Sequence, residues 1–180
     1  MKILPIVIYP DKRLNQTSVE VEEINEEIKE LVVDMSYTMY YLEGVGLSAV
    51  QVGRREKIFI VDGERVGLET KDPIVFINPI IEVASEQTIT VEEGCLSFPG
   101  MYMKIKRPKL VIIKAKNLNG EDFSVRAQGL YARVILHEYD HIIGKTIADL
   151  SNMIQKKRIK KAVENWRSLV GETDNFELVE

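Results

Sequence analysis

The sequence predicts an α+β fold in which short antiparallel β-sheets pack around a central helix, with one further helix towards each end of the chain. Two observations support this prediction. Apolar residues recur at steps of three and four near 24–42, 128–143 and 151–170, as in amphipathic helices. Between the first two of these segments, runs rich in Ile and Val alternate with turn residues and show no helical periodicity. That pattern favours antiparallel sheets over a parallel βαβ array.

The first helix is predicted over residues 24–42. Its apolar side chains fall on one stripe, and Glu22, Glu23, Glu26 and Glu27 lie near the N-terminal end, where the helix dipole favours negative charge. Two glycines then end the helix and begin an irregular segment over residues 44–51.

Five strands are predicted in the middle of the chain. They cover residues 57–61, 74–83, 87–91, 110–117 and 123–127. An Asn-Gly pair at 119–120 predicts a hairpin turn between the last two strands. A second helix follows over 128–143 with Gly144 as its cap, and a third begins after Ser151, a suitable N-cap, and continues to Val170. Because no repeat or linker interrupts the chain, residues 1–180 are predicted to form one domain.

The composition excludes several classes of protein. Hydrophobic residues make up 45% and charged residues 29% of the 180 positions, an ordinary globular balance. The net charge of −4 argues against a general DNA or RNA binder. No run approaches the roughly 20 apolar residues of a membrane span, and the N-terminus lacks the features of a signal peptide. With one unpaired cysteine, Cys95, a cytoplasmic location is expected.

The two histidines of the chain stand four residues apart, in the segment 137–141 that reads His-Glu-Tyr-Asp-His. Residues four apart lie on the same side of a helix, so both imidazoles can bind one ion. They continue the apolar stripe of Leu130 and Val134 and should face the core. Each residue turns an α-helix by about 100°, so the Glu138 side chain points to one side of the two histidines. It can border the ion without binding it, which is the position of a general base.

Two histidines leave a tetrahedral metal site incomplete, and the sequence offers more than one third ligand. Glu164 would suit a thermolysin-like protease, although surrounding lysines favour a surface ion pair for it. Cys95 follows a glycine, and a metal-bound thiolate would explain the single cysteine. Another carboxylate also remains possible at this stage.

Three segments together resemble the peptide deformylase family. They are residues 44–51 (Gly-Val-Gly-Leu-Ser-Ala-Val-Gln), 93–97 (Glu-Gly-Cys-Leu-Ser) and 137–141, and they occur in the family's order and spacing over nearly the whole chain. The family removes the formyl group from N-terminal formylmethionine of new polypeptides. Within the first segment, Ser48 and Val50 replace an Ala and a Pro of the usual motif.

The resemblance implies a role for each matched residue. The metal ligands would be Cys95, His137 and His141, with water in the fourth position. Glu138 would accept the proton of that water and pass it to the leaving amine, while the Gln51 amide and the Leu96 N–H would donate to the oxyanion. The family implies Fe²⁺ as the cellular ion, and Zn²⁺, Co²⁺ or Ni²⁺ would also suit thiolate and imidazole ligands.

The resemblance also implies the partners. The substrate would be a nascent formyl-Met peptide, whose methionine needs a narrow apolar slot. Matching positions for its lining are Val45, Val91, Leu130 and Val134, and the Gly46 backbone would pair with the extended peptide. The basic helix over 151–170 carries six Lys or Arg and one Glu, and the family suggests that it docks on the ribosome.

Two other functions fit the same residues less well. A zinc endopeptidase could use the same helix with a different third ligand. A non-catalytic protein with a closed structural zinc site is the other alternative, but such sites are usually richer in cysteine and lack an adjacent glutamate. Replacing Cys95 or Glu138 separates these possibilities.

Overall fold

A computed structural model describes residues 1–170 and 175–176 of the chain. The helices are α1 (Glu26–Tyr41), α2 (Gly129–Ile142) and α3 (Met153–Val170). The strands are β1 (Ile6–Val7), β2 (Gly46–Ser48), β3 (Ile58–Val61), β4 (Ile74–Ala84), β5 (Thr88–Gly94), β6 (Tyr102–Pro108), β7 (Leu110–Lys116), β8 (Asp122–Gln128) and β9 (Asn175–Phe176). The predicted α+β class is confirmed.

The strands form three separate antiparallel groups. The main sheet has five strands in the order β2-β3-β4-β7-β8, and β7 and β8 make the hairpin predicted from the Asn-Gly pair. Strands β5 and β6 form a two-stranded ribbon, and β1 pairs with β9. Within the described part of the chain, β2 is hydrogen-bonded to β3 alone and is therefore an edge of the main sheet.

The main sheet lies between α1 and α2. Successive side chains of a strand point to opposite faces, so Ile58 and Ile60 of β3 pack against α1 while Phe59 and Val61 pack against α2. Burial on both faces explains why this strand reads as a continuous apolar run.

The ribbon packs against α3. Met103 and Ile105 of β6 share a core with Ile159 and Val163 of α3. The side chains of Trp166 and Val170, which the sequence also predicts on the apolar side of this helix, lie outside the described residues. The ribbon thus connects the basic helix to the remainder of the molecule.

Two features of the sequence prediction need correction. The first is two omitted strands: β6, and the short β2, which lies in the segment 44–51 that was expected to be irregular. The second is the start of α3, where Asn152 rather than Ser151 is the cap: its carboxamide accepts from the Gln155 N–H at 2.9 Å, and the Gln155 side chain accepts in return from the Asn152 N–H. Ser151 is buried, and its hydroxyl donates to the Ile147 carbonyl.

No helix within residues 1–170 combines the length and the apolar character needed to cross a membrane.

Candidate metal centre

Helix α2 places the two histidines on the buried side of the molecule. His137 is 8% exposed and His141 is fully buried, and their ring centroids lie 5.0 Å apart. The stripe does not stay buried towards the N-terminal end of the helix, because Leu130 is 52% exposed. The histidines therefore lie at the inner end of a helix face that opens to solvent.

Cys95 comes to the histidines from the ribbon, directly after the last residue of β5. Its Sγ lies 3.3 Å from Nε2 of His141, and the three potential ligand atoms of Cys95, His137 and His141 all lie within 4.8 Å of one another. Bonds of roughly 2.3 Å to sulfur and 2.1 Å to nitrogen at a tetrahedral angle put these atoms about 3.6 Å apart. The donor set therefore fits one divalent ion of this kind.

The other proposed third ligand lies elsewhere. Glu164 is exposed on α3, with Oε1 4.0 Å from Nζ of Lys160. This contact is the surface ion pair that the lysine-rich sequence favoured.

Glu93 fixes the orientation of His137. The Nδ1 atom of His137 contacts Oε2 of Glu93 at 3.0 Å, so that this nitrogen donates and Nε2 is left for a metal. Arg107 donates from Nε to Oε1 at 2.6 Å and from Nη2 to Oε2 at 2.9 Å, and Nη1 of Arg133 also contacts Oε1. One carboxylate thus joins α2 to the ribbon that carries Cys95.

The surroundings of His137 favour positive charge. Burial by itself lowers the pKa of His137, but Cys95 and Glu93 outweigh that effect and raise it well above the ordinary value. Burial and the neighbouring His137 lower the pKa of His141, which leaves that imidazole neutral. An environment that attracts a proton to one imidazole also attracts a metal cation.

Glu138 is 3% exposed and lines the cavity next to the three ligands. Burial raises its pKa to about 7, against the lowering effects of His137 and a Ser48 hydrogen bond. Its Oε2 atom has no hydrogen-bond partner among residues 1–170. A carboxylate of this pKa with a free oxygen can accept a proton from water and return it at neutral pH.

The absence of a side chain on Gly46 leaves room for the Glu138 carboxylate. A Cβ atom on Gly46 would lie 2.6 Å from Oε1 of Glu138 and 2.9 Å from Cγ1 of Val134. No such contact is possible without displacement, so this position of β2 requires glycine.

The two expected oxyanion donors lie beside the sulfur. Gln51 is buried; its Nε2 is 3.4 Å from Sγ of Cys95 and 3.3 Å from Oγ of Ser97, and its Oε1 accepts from the Ser48 N–H at 2.9 Å. Within the described chain, the Leu96 N–H has no hydrogen-bond acceptor. Both groups line the same cavity.

The cavity beside the ligands has a volume of about 540 Å³. Four of the five residues expected to contact substrate line it, namely Val45, Gly46, Leu130 and Val134. The fifth, Val91, is 42% exposed on the ribbon and lies outside the lining.

The resemblance singled out Arg133 as a charged residue at a pocket position that is usually apolar, but not its contact with Glu93, and sequence reasoning missed Arg107 altogether. Both are buried on Glu93, and Nη1 of Arg107 also donates to Oδ2 of Asp140 at 2.7 Å. Arginines are frequent in the chain, and nothing in the neighbouring sequence distinguishes Arg107 as a partner of Glu93. The one available signal was the even spacing of Met103, Ile105 and Arg107, which places this arginine on the inner face of β6.

A Cys-His-His donor set with both histidines buried and an adjacent glutamate, open to a cavity, defines a metal-dependent hydrolase. The sequence model of the polypeptide deformylase family matches residues 3–157, so the chain belongs to this family.

Individual relatives agree with this assignment. The chain is 40% identical to a peptide deformylase of Saccharophagus degradans over 164 residues, which cover 91% of this chain and 94% of the relative. It is 45% identical to one of Wolbachia pipientis over 170 residues, 90% of this chain and 95% of the relative. The crystal structure of peptide deformylase from Ehrlichia chaffeensis in complex with actinonin is similar with a TM-score of 0.86 and 36% identity, covering 96% of this chain and 100% of that structure.

Proposed function

We propose that the chain hydrolyses the formyl amide of N-terminal formylmethionine on newly made polypeptides. Water adds to the formyl carbon, the C–N bond breaks, formate leaves, and the peptide keeps a free amine. The observation that supports this proposal most strongly is the convergence of Cys95, His137 and His141 next to the buried Glu138.

Cys95, His137 and His141 would hold a divalent ion, Fe²⁺ in the cell, that supplies Lewis-acid polarisation of the formyl carbonyl and lowers the pKa of water. Glu93 keeps His137 in the orientation that this requires. A soft thiolate with two imidazoles would accept Zn²⁺, Co²⁺ or Ni²⁺ equally well in a purified sample.

Glu138 moves the proton in this mechanism. Its carboxylate accepts a proton from the attacking water and donates it to the nitrogen that leaves. A pKa near 7 makes both transfers accessible at the pH of the cell. The small residue at position 46 lets the carboxylate stand beside the reacting carbon.

Gln51 and Leu96 stabilise the negative charge that grows on the formyl oxygen. The free N–H of Leu96 is one donor. The Gln51 amide is held in place through its oxygen by Ser48, so that its N–H groups point towards the sulfur side of the cavity. Fixed donors of this kind stabilise a transition state without reorganisation.

The peptide binds as an added strand. Strand β2 is an edge of the main sheet and its first residue, Gly46, lines the cavity. An extended peptide can hydrogen-bond to that edge while its methionine enters the slot between Val45, Leu130 and Val134.

Formate release from a formyl-Met peptide tests the function, with protein loaded with Fe²⁺ without oxygen. We expect turnover by the wild type and a loss of at least about a hundredfold in kcat for Glu138→Ala, with metal content unchanged by elemental analysis. Absence of formate from the iron-loaded wild type would contradict the proposal.

Cys95→Ser separates this function from the endopeptidase alternative. A deformylase that uses sulfur as its third ligand should lose bound metal on this substitution. A protease with a carboxylate ligand would keep its metal and cleave internal peptide bonds.

The basic face of α3 is proposed as a docking surface for ribosomal RNA. Lys156, Lys157, Lys160 and Lys161 are all exposed on it, and phosphate binding needs such a cluster. Replacing these four lysines by glutamate should abolish salt-sensitive co-sedimentation with ribosomes and leave hydrolysis of a short peptide unchanged. Unchanged co-sedimentation would contradict this docking.

A further inference from the structure

We propose that Arg133 determines specificity at the substrate slot by favouring a first side chain that ends in a neutral hydrogen-bond acceptor. The substrate class this adds is the formyl peptide whose methionine is oxidised to the sulfoxide. The inference rests on the proposed function, and it concerns the preference among formyl peptides rather than the reaction.

Arg133 is a cationic residue in the lining of the cavity. The residue is 7% exposed and lines the cavity together with the apolar Leu130 and Val134. Its Nη1 donates to Glu93 and, at 3.1 Å, to the Ile105 carbonyl, and Nη2 donates to the Ile89 carbonyl at 2.9 Å. The slot is therefore not apolar on every side.

The guanidinium has more donors than the protein uses. It carries five N–H groups, and three are engaged in the hydrogen bonds above. The other two, on Nε and Nη2, have no acceptor among the residues that the structure describes. The Nε atom is not among the buried side-chain atoms of residues 1–170 that lack a partner, so water reaches it, and a ligand that supplies an acceptor can take the place of that water.

The positive and negative side chains around Arg133 are equal in number. This balance determines whether the substrate's hydrogen-bond acceptor should be charged or neutral. Two arginines, Arg107 and Arg133, face two carboxylates, Glu93 and Asp140. With His137 neutral on a metal, the group has no net charge. A carboxylate on the substrate would have to be desolvated without a free positive charge to pair with it, so a neutral dipole is preferred.

The reach matches a methionine-sized side chain. Arg133 precedes His137 by four residues on α2, a rise of about 6 Å along the helix. Arg133 and His137 also contact the two oxygens of the same carboxylate, Glu93, so the guanidinium lies one carboxylate away from the imidazole beside which the formyl group reacts. Norleucine offers no acceptor there, the methionine thioether a weak one, and the sulfoxide oxygen a strong one.

The test compares kcat/KM for three formyl tripeptides that differ only in the first residue: methionine, norleucine and methionine sulfoxide, the two sulfoxide epimers separately. We expect Arg133→Met, which keeps an unbranched chain but no donors, to lower the sulfoxide-to-norleucine ratio of the better epimer at least about tenfold from its wild-type value. An unchanged ratio would overturn the proposal.

Arg107→Lys is the matched control, because Arg107 binds the same carboxylate but does not line the cavity. It should lower the rates for all three peptides by a common factor and leave their ratios unchanged. If it lowers the sulfoxide-to-norleucine ratio as much as Arg133→Met does, the preference does not belong to Arg133.

Should Arg133→Met fail to fold, Arg133→Lys replaces it. Lysine keeps a cation for Glu93 but lacks the planar set of donors, so the sulfoxide-to-norleucine ratio should again fall. A ratio equal to the wild-type value overturns the proposal. If the wild type releases no formate from any of the peptides, the proposed function itself has failed, a result distinct from a loss of preference.

Discussion

Glu93 is a buried carboxylate shared by three partners on two elements. It accepts from Arg107 on β6 and contacts Arg133 and His137 on α2. Burial alone would raise its pKa, but the hydrogen bonds from His137 and Arg107 lower it to about 2. The ionised form is therefore stabilised in the folded protein relative to the unfolded chain.

This shift predicts how stability changes in acid. The pKa of a glutamate in the unfolded chain is about 4.3, so the contribution of Glu93 is complete above that pH. It is lost as the pH falls towards 2, and amounts to about 3 kcal/mol. In metal-free protein, Glu93→Gln should lower the free energy of unfolding at pH 7 and flatten its decline between pH 4.5 and 2. The control Glu92→Gln, on the exposed neighbour, should do neither.

Gly46 carries a second prediction at the scale of single residues. Gly46→Ala brings a methyl group to within 2.6 Å of the Glu138 carboxylate, which must move away from the reacting centre. We expect kcat for a formyl-Met peptide to fall roughly tenfold to a hundredfold. Metal content should not change, because the atoms closest to the added methyl group belong to Glu138 and Val134 and not to the three candidate ligands. Wild-type kcat in this variant would contradict the steric argument.

The sequence predicts site residues of types that are rare in the chain. It misses common residues whose role depends on contacts formed only in the folded protein. His137 and His141 are predictable because two histidines at helical spacing with a glutamate between them are uncommon outside metal sites, whereas Cys95 became the preferred third ligand only through the resemblance to the deformylase family. Arg107 is not predictable, and for Arg133 the sequence indicates only an unusual charge in the pocket, since the contacts of both depend on a carboxylate 14 and 40 positions away. Long-range pairing of common residues leaves no local pattern.

At the scale of elements, prediction succeeded where apolar periodicity was complete. All three helices and the strands with unbroken Ile and Val content lie near their predicted bounds. Strand β6 was missed because its outward positions are Lys104 and Lys106 and one inward position is Arg107. Its partner for that charge, Glu93, lies on the neighbouring strand and could not be inferred from β6 itself.

Helix α1 gives a prediction for its N-terminal cap. The Asn25 side chain accepts from the Ile28 N–H at 3.1 Å, which satisfies one of the free donors of the first turn. Asn25→Ala should lower the free energy of unfolding by about 1 kcal/mol, measured by urea denaturation. Asn25→Asp keeps the accepting oxygen and should remain close to the wild type; an equal loss in both variants would refute the capping role.

For the whole molecule, the important feature is that the three candidate metal ligands come from two separate parts of the fold. Cys95 follows the ribbon, whereas both histidines belong to α2. A metal that binds only when these are correctly packed stabilises the folded state. At a free concentration of 1,000 times Kd, linkage gives about 4 kcal/mol.

Metal removal should therefore lower the thermal unfolding temperature, and restoring Fe²⁺ or Ni²⁺ should recover it. Calorimetry before and after chelation measures the difference. In Cys95→Ser the two curves should coincide, because the site has lost its sulfur. A chelator effect as large in this variant as in the wild type would show that the ion is held elsewhere.

The proposed pairing of the substrate with Gly46, the one residue of β2 that is not buried, has a consequence for when a substrate can be processed. When the N-terminus of a substrate protein already forms part of a β-sheet in that protein, its backbone groups are not free to pair with Gly46. Folding of the substrate protein therefore competes with removal of its formyl group. We therefore expect a mature, compact protein with a blocked amine to be refractory, and the same sequence to become a substrate when it is still emerging or has been denatured. The formyl group should therefore be removed before the substrate protein has folded.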